Sequence, residues 1–401
     1  MPVPPRSPND GPAAATEGWG YTPAPNPSLP MELGAPGAAL PAIEQGSLLV
    51  IRQFDLADEI DLDKVQTLRA LPRSPLTRAR ATALLMSNPP LAVPLGTRQV
   101  ALGGTPVELL VSARLFDFGA ISIRMRVRLP SGTPWAVLSS LVRAAQVDEG
   151  LTRLGREVAE QLAKELHSAL SGRHESNVYE DYVVAFVERF TQPVAPQTLP
   201  LDAIARLLLG ETEEAQLSAA EIEEATRHRS SYYTDDLCVA GWSTALVVEP
   251  SGDTDPVDVL ELANAQLLEL RFYDALLDRE LGRLYDEIGA RRGKRIKVFR
   301  NYGPVLRRVM ALLLEIAEFI ERVENALKII GDVYLARVYA SAVDVLRITA
   351  WERAATRKQA LVQQMYDVLK NEVDTSRGQI MEIIVIALIA GEILLAAHVT
   401  R

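Results

Sequence analysis

One cysteine, Cys238, and four histidines are all that the sequence offers as soft or imidazole ligands. A lone thiol excludes an intramolecular disulfide and any zinc site built from the cysteines of one chain. Basic side chains are also in deficit: 42 against 52 acidic ones leave a net charge of -10. That argues against a protein built wholly around nucleic acid, although a local basic patch can still form. The first 41 residues hold 11 of the 25 prolines and no apolar run able to serve as a secretory core. Residues 1–45 therefore read as a disordered Pro-rich tail, and the body as cytoplasmic. What the chain has in quantity is apolar side chains, 48% of 401 residues, ample for one large core or two ordinary ones.

The predicted fold class is α+β. Residues 46–254 mix strand and helix signals. In Ile121 to Leu129 apolar residues take every second position, the period of a half-buried strand. Leu109 to Leu115 precedes it across Phe116-Asp-Phe-Gly119, which predicts a hairpin. Thr133-Pro134 marks a helix start, with an amphipathic pattern running from Trp135 towards Leu170. Tyr179 to Phe190 and Asp236 to Val248 read as further strands, with helices at Leu201 to Leu209 and Ala219 to Ala225, the latter behind a Ser218/Glu221 capping box.

Residues 255–376 read as long antiparallel helices, a coiled-coil-like hairpin or bundle. Asp255 as N-cap, Pro256 at the first helical position and Asp258 in the first turn mark one start. Leu260, Ala263, Leu267, Leu270, Leu277, Leu281, Leu284 and Ile288 follow three-four spacing, with Asp274 intruding on the stripe. A second stripe runs from Val305 to Tyr334, and a third helix is predicted over about Trp351 to Glu372.

Residues 377–401 form a C-terminal hydrophobic helix with two readings. Twenty residues from Ile380 to Val399 are about the number that crosses a roughly 30 Å hydrocarbon layer. Glu392 near the centre costs on the order of 2.5 to 3.5 kcal/mol, while six isoleucines, three leucines and two valines return about 3 to 7 kcal/mol. The expectation is a transmembrane, tail-anchored helix, with the body on the cytoplasmic side of a bacterial inner membrane. Ala387, Gly391 and Glu392 would pack a second membrane helix, by small-residue approach and a carboxyl hydrogen bond. The alternative is a soluble cytoplasmic protein, oligomeric and regulatory, whose last helix packs in its own bundle.

No catalytic constellation, cofactor motif or metal set is present in the pattern. Residues 291–300 carry Arg291, Arg292, Lys294, Arg295, Lys297 and Arg300, a patch able to contact RNA, a ribosome or anionic headgroups, or to lie in water as a helix connection. Gly289 to Arg295 departs from a phosphate-binding loop in spacing and lacks the Ser or Thr after its lysine. Gly241-Trp-Ser243-Thr-Ala245 approaches a nucleophile elbow, but the apolar pattern continues as strand. Arg124, Arg126 and Arg128 share one strand face, read as a solvent face paired to a neighbouring strand. Glu261, Glu269, Asp274 and Asp278 lack the histidine three residues on that a di-iron bundle requires, so surface pairs with Arg271, Arg279 and Arg283 are the expectation.

Phe116 to Gly119, Leu284-Tyr-Asp286, Lys358 and Met381 to Ile393, in that order, resemble the required-for-meiotic-nuclear-division family, also called the Sad1-interacting factor family. The resemblance implies a membrane-anchored domain of unknown function whose eukaryotic relatives support mitochondrial translation; it brings no catalytic residues. The sequence-based expectation is thus a membrane-anchored scaffold or adaptor, not an enzyme, without small-molecule substrate, acting through protein partners or self-association.

Overall fold

A computed structural model describes residues 40–69, 89–174, 178–289, 307–311, 313–314, 316–318 and 332–399. Its centre is a mixed eight-stranded sheet. The first strand, β1 (Ile43–Asp55), carries the run Leu48-Leu-Val-Ile51 and lies mid-sheet, buried on both faces. A strand covered on both faces loses the polar/apolar alternation that marks a half-exposed one, so periodicity alone did not reveal it. A small β2 (Glu59–Ile60) and α1 (Leu62–Arg69) follow, then β3 (Leu91–Leu102), β4 (Thr105–Leu115) and β5 (Ala120–Arg128). The predicted hairpin is present: β4 and β5 pair antiparallel with Leu115 opposite Ile121. Its turn depends on Gly119, at φ +104°, where an added Cβ would lie 1.7 Å from the Ala57 carbonyl oxygen.

The long helix expected from Trp135 is two helices, α2 (Trp135–Val147) and α3 (Glu149–Glu165). Asp148 separates them, its backbone extended and its carboxylate accepting from Leu151 N at 3.1 Å, so it ends one helix and caps the next. Buried Arg52 holds the junction to β1, donating to the Ala145 carbonyl at 2.8 Å and to Thr152 Oγ1 at 2.9 Å. The chain continues through β6 (Leu170–Ser171), β7 (Tyr179–Phe190), α4 (Leu201–Leu209), α5 (Ala219–Ala225), β8 (Arg229–Ser230), β9 (Leu237–Ala240) and β10 (Thr244–Val248). Asp236 to Val248 is thus a hairpin rather than one strand. Sheet order is β3-β4-β5-β1-β7-β10-β9-β8, antiparallel except for the parallel β7/β10 pair.

Two cores result. On one face Leu48, Val50 and Phe54 meet α2, α3 and α4; on the other Leu49 and Ile51 meet the C-terminal helices. Chief among these is α6 (Asp255–Gly289), buried on every side from Asp255 to Leu270. Its predicted stripe faces inward from Leu260 to Leu284, and Asp274 finds its reason in Lys358, 2.6 Å away. The predicted stripe ending at Tyr334 is interrupted: Asp332 caps a new helix, α7 (Val333–Val345), accepting from Tyr334 N at 2.7 Å and Leu335 N at 3.1 Å. Arg347, at φ +53°, then turns the chain into α8 (Ile348–Val399).

The C-terminal segment is therefore not a separate helix but the far end of a continuous 52-residue one. Ile348, Ala355 and Val362 bury its near half in the second core. Among the described residues no helix is long and apolar enough to cross a membrane. This overturns the transmembrane, tail-anchored reading, and the inner-membrane location that depended on it. The sequence balance was already narrow, because Glu382 and Glu392 offset most of the apolar gain. Of residues 1–45, read as a disordered tail, 1–39 lie outside the described residues, while Ile43, Glu44 and Gln45 open β1.

Candidate ligand pocket

The start of α6 places three acids on adjoining faces, Asp255, Asp258 and Glu261, all buried. Acidic residues favour a helix N-terminus, where the free backbone N–H groups and the macrodipole meet them. Here they also turn inward, to two arginines projecting from the sheet. Arg114 on β4 reaches Asp258 at 2.5 Å, and Arg124 on β5 reaches Asp258 at 2.9 Å and also pairs with Glu261. Ser122 donates to Glu261 at 2.6 Å, and Gln53 of β1 to the Glu261 carbonyl at 2.8 Å. Burial alone would pull the Arg124 guanidinium down, but the charges of Glu261 and Asp258 outweigh it and hold it far up.

One turn towards the helix start, Asp255 lines a cavity of about 350 Å³. Its walls are the loop before β9, the loop after β10 and the beginnings of α6 and α7. Asp235, Asp236, Glu249, Asp253 and Asp255 line this space, and among the described residues no lysine or arginine does. Three of them also brace their own loops. Asp236 accepts from Tyr232 N at 2.7 Å and Tyr233 N at 3.1 Å, Glu249 from Ser251 Oγ at 2.6 Å, and Asp253 from Asp255 N at 3.1 Å. Asp255 is thus the first residue of α6 rather than its predicted cap: Thr254 accepts the first helical bond, from Asp258 N at 2.9 Å. Asp255 differs, since its residue is 4% exposed and its carboxyl shares a hydrogen bond with that of Asp253. Burial, then the charges of Asp253 and Asp258, push its carboxyl up to about 8 against the pull of Arg114. Tyr334 forms another wall, its hydroxyl pushed up by burial and by neighbouring acids, with its ring 6.2 Å from that of Tyr232.

The residues singled out from sequence distribute differently. Arg124 is not on a solvent face but beneath α6, and Arg126 is half-buried between Ser47 and Glu188. The expected surface pairing of Glu261, Glu269, Asp274 and Asp278 is overturned. Glu261 and Glu269 are buried, Asp274 and Asp278 hold Lys358, Arg271 pairs with Glu180, and Arg283 with Glu280. Ser243 sits in the β9/β10 turn, with a strand after it where an elbow nucleophile needs a helix. Arg291, Arg292, Lys294, Arg295, Lys297 and Arg300 lie outside the described residues, as do the side chains of Ala387 and Glu392. Gly391 is open: a Cβ there would meet nothing within 4 Å. Among the described residues no group of three His, Cys, Asp or Glu is arranged to hold a metal ion. The pocket itself was missed. Of its acids only Asp255 was singled out, and as a capping signal together with Asp258; Asp235, Asp236 and Tyr334 reach the same space from elsewhere in the chain.

No solved structure matches this chain. The uncharacterized protein MJ0711 of Methanocaldococcus jannaschii is 23% identical over 245 residues, 60% of this chain and 73% of that relative. The relative is archaeal, and it lends no support to a bacterial inner-membrane location. Neither does the likeness to the meiotic-nuclear-division and Sad1-interacting family stand. Its motifs were short, and the match over the sheet residues is to a different family. The model of the MJ0711 N-terminal domain matches residues 45–254, from Gln45 in the central strand to the residue before α6, and the chain belongs to that family.

Proposed function

We propose that the protein is a non-enzymatic regulatory or scaffold protein that self-associates through the far half of α8. The observation behind this reading is the change in surroundings along one helix. Up to Tyr366 the helix packs on α6 and α7, with Trp351, Met365 and Tyr366 at the margin of the core. Beyond it, Met381, Ile384, Val385, Ile386, Leu388 and Ile389 are 47 to 66% exposed. An apolar face of this kind on a folded chain marks a surface made for covering.

A second copy of the chain is the partner this pattern favours. Met381, Ile384 or Val385, and Leu388 follow the three-four spacing whose knobs fit between the side chains of an identical helix. An identical stripe is also self-complementary about a two-fold axis. The sheet and α6 would then form the body that the helix holds at a fixed distance, since 1.5 Å per residue carries Ile389 about 34 Å beyond Tyr366. The test is molar mass by light scattering at tens of micromolar. The full chain is expected at twice 43.9 kDa or more, and a Val385→Lys/Leu388→Lys variant at monomer mass with unchanged circular dichroism. A monomeric full chain would refute the proposal.

A further inference from the structure

We infer that α8 pairs with α8 of a second copy in antiparallel orientation, about a two-fold axis that crosses the helix between Ile384 and Val385. This pairing rests on the self-association proposed above and gives it a direction. The exposed apolar residues Met381, Ile384, Val385 and Leu388 belong to a segment whose order is nearly the same from either end. Residues 377–392 read RGQIMEII and then VIALIAGE. Counted outward from the midpoint, Ile384 matches Val385, Met381 matches Leu388 and Gly378 matches Gly391. At the ends Arg377 meets its opposite charge in Glu392.

At about 3.6 residues per turn, positions 377, 381, 384, 385, 388 and 392 fall on one stripe of α8, about 23 Å long. The two places where the segment departs from symmetry, Gln379 against Ala390 and Glu382 against Ala387, fall away from that stripe. Turned antiparallel, the stripe meets itself: Met381 lies beside the partner's Leu388, the Ile384/Val385 step lies at the centre, and Arg377 lies beside the partner's Glu392 at both ends. A parallel two-fold pair is in register, so Arg377 would face Arg377 and Glu392 would face Glu392, a like-charge contact at each end. Charge therefore selects the orientation that the apolar stripe alone leaves open. Space permits a close approach, since a Cβ at Gly391 would meet nothing within 4 Å. The consequence is a long particle with the two sheets at opposite ends. The Val368 positions, 59% exposed on α8, would lie about 50 Å apart, against about 10 Å for parallel helices in register.

The experiment is double electron–electron resonance between spin labels on Val368→Cys in the full chain, with buried Cys238 changed to Ala, after light scattering has fixed the mass. A distance distribution centred at about 50 Å is expected. A second measurement needs no new cysteine. Arg377→Glu should weaken dimerisation by about fivefold or more, and adding Glu392→Arg should restore it, because the double exchange re-forms opposite charges across an antiparallel pair. A parallel pair would respond to neither change, since like charges would face like charges throughout. A dimer with its labels within about 25 Å, or one whose strength neither charge change moves, would overturn the antiparallel pairing while self-association stood. A monomer would overturn both.

Discussion

Changing Glu261 to Gln tests the buried network most directly, because it removes one charge and little volume. Glu261 is 0% exposed and faces Ser122, Arg124 and, at 3.5 Å, Arg114 Nε. Both arginine side chains are only 11% exposed. Without Glu261 the two guanidinium groups share Asp258 alone, leaving one buried positive charge without compensation. Breaking a buried pair in this way costs about 3–5 kcal/mol. Glutamine retains an acceptor for Ser122, which places the expected loss near the lower end, about 3 kcal/mol. That is a large part of the roughly 5–15 kcal/mol that holds a domain folded. Urea unfolding measures it, with an unchanged slope required for a clean comparison. Removing the pair together, as Arg124→Met with Glu261→Leu, strands no charge in the same way, so the double variant should lose less than the sum of the two single ones by about 2 kcal/mol or more. A single-variant loss below about 1 kcal/mol, the size seen for exposed pairs, or strict additivity, would refute the reasoning.

Four further expectations follow from particular residues. His174 lies 3.1 Å from both Asp55 and Asp58 and stacks on Phe272; burial pulls its pKa down, but the hydrogen bond and charge of Asp55 outweigh this and raise it to about 9. Its contribution, about 2 kcal/mol, is thus complete below about pH 6.5 and fades as pH rises through 9, and His174→Gln should flatten that limb of the stability profile. Asp255 has the raised pKa of an acid, so the folded state resists its ionisation and stability falls as pH climbs from about 4 to 8. Asp255→Asn should match the parent near pH 4 and exceed it by at least about 1 kcal/mol at pH 8 in thermal melts. Gly119→Ala should lose about 3 kcal/mol or more, since the β4/β5 turn leaves a Cβ no room beside Ala57; soluble yield and melting temperature would show it. Arg347→Gly should gain about 0.5–1 kcal/mol by relieving a left-handed backbone at the α7/α8 turn, read from the urea midpoint.

Local signals carried far where a single element answered to its own chain. The β4/β5 hairpin, β7, α4, α5 and the α6 stripe were legible because alternation, caps and three-four spacing are properties of neighbouring residues. They failed where burial came from both sides. The central β1 shows an unbroken apolar run, and the first turns of α6 are polar yet buried, so neither offers a contrast between faces. Arg124 shows the same limit at one residue: alternation put it on the correct side of β5, but whether that side met water or a helix was decided 137 residues later in the chain.

From its own composition the chain determined an α+β fold, the near absence of thiol and imidazole chemistry, and the start of a helix at Asp255. Tertiary structure alone decided that Asp255, Asp258 and Glu261 face inward, that an acidic cavity opens between distant loops, and that the apolar terminus prolongs a helix anchored in the core. The reason is physical. Hydrogen bonding along a helix and side-chain alternation along a strand are set within a few residues, whereas the partner of a buried charge is set by which surfaces the whole chain brings together.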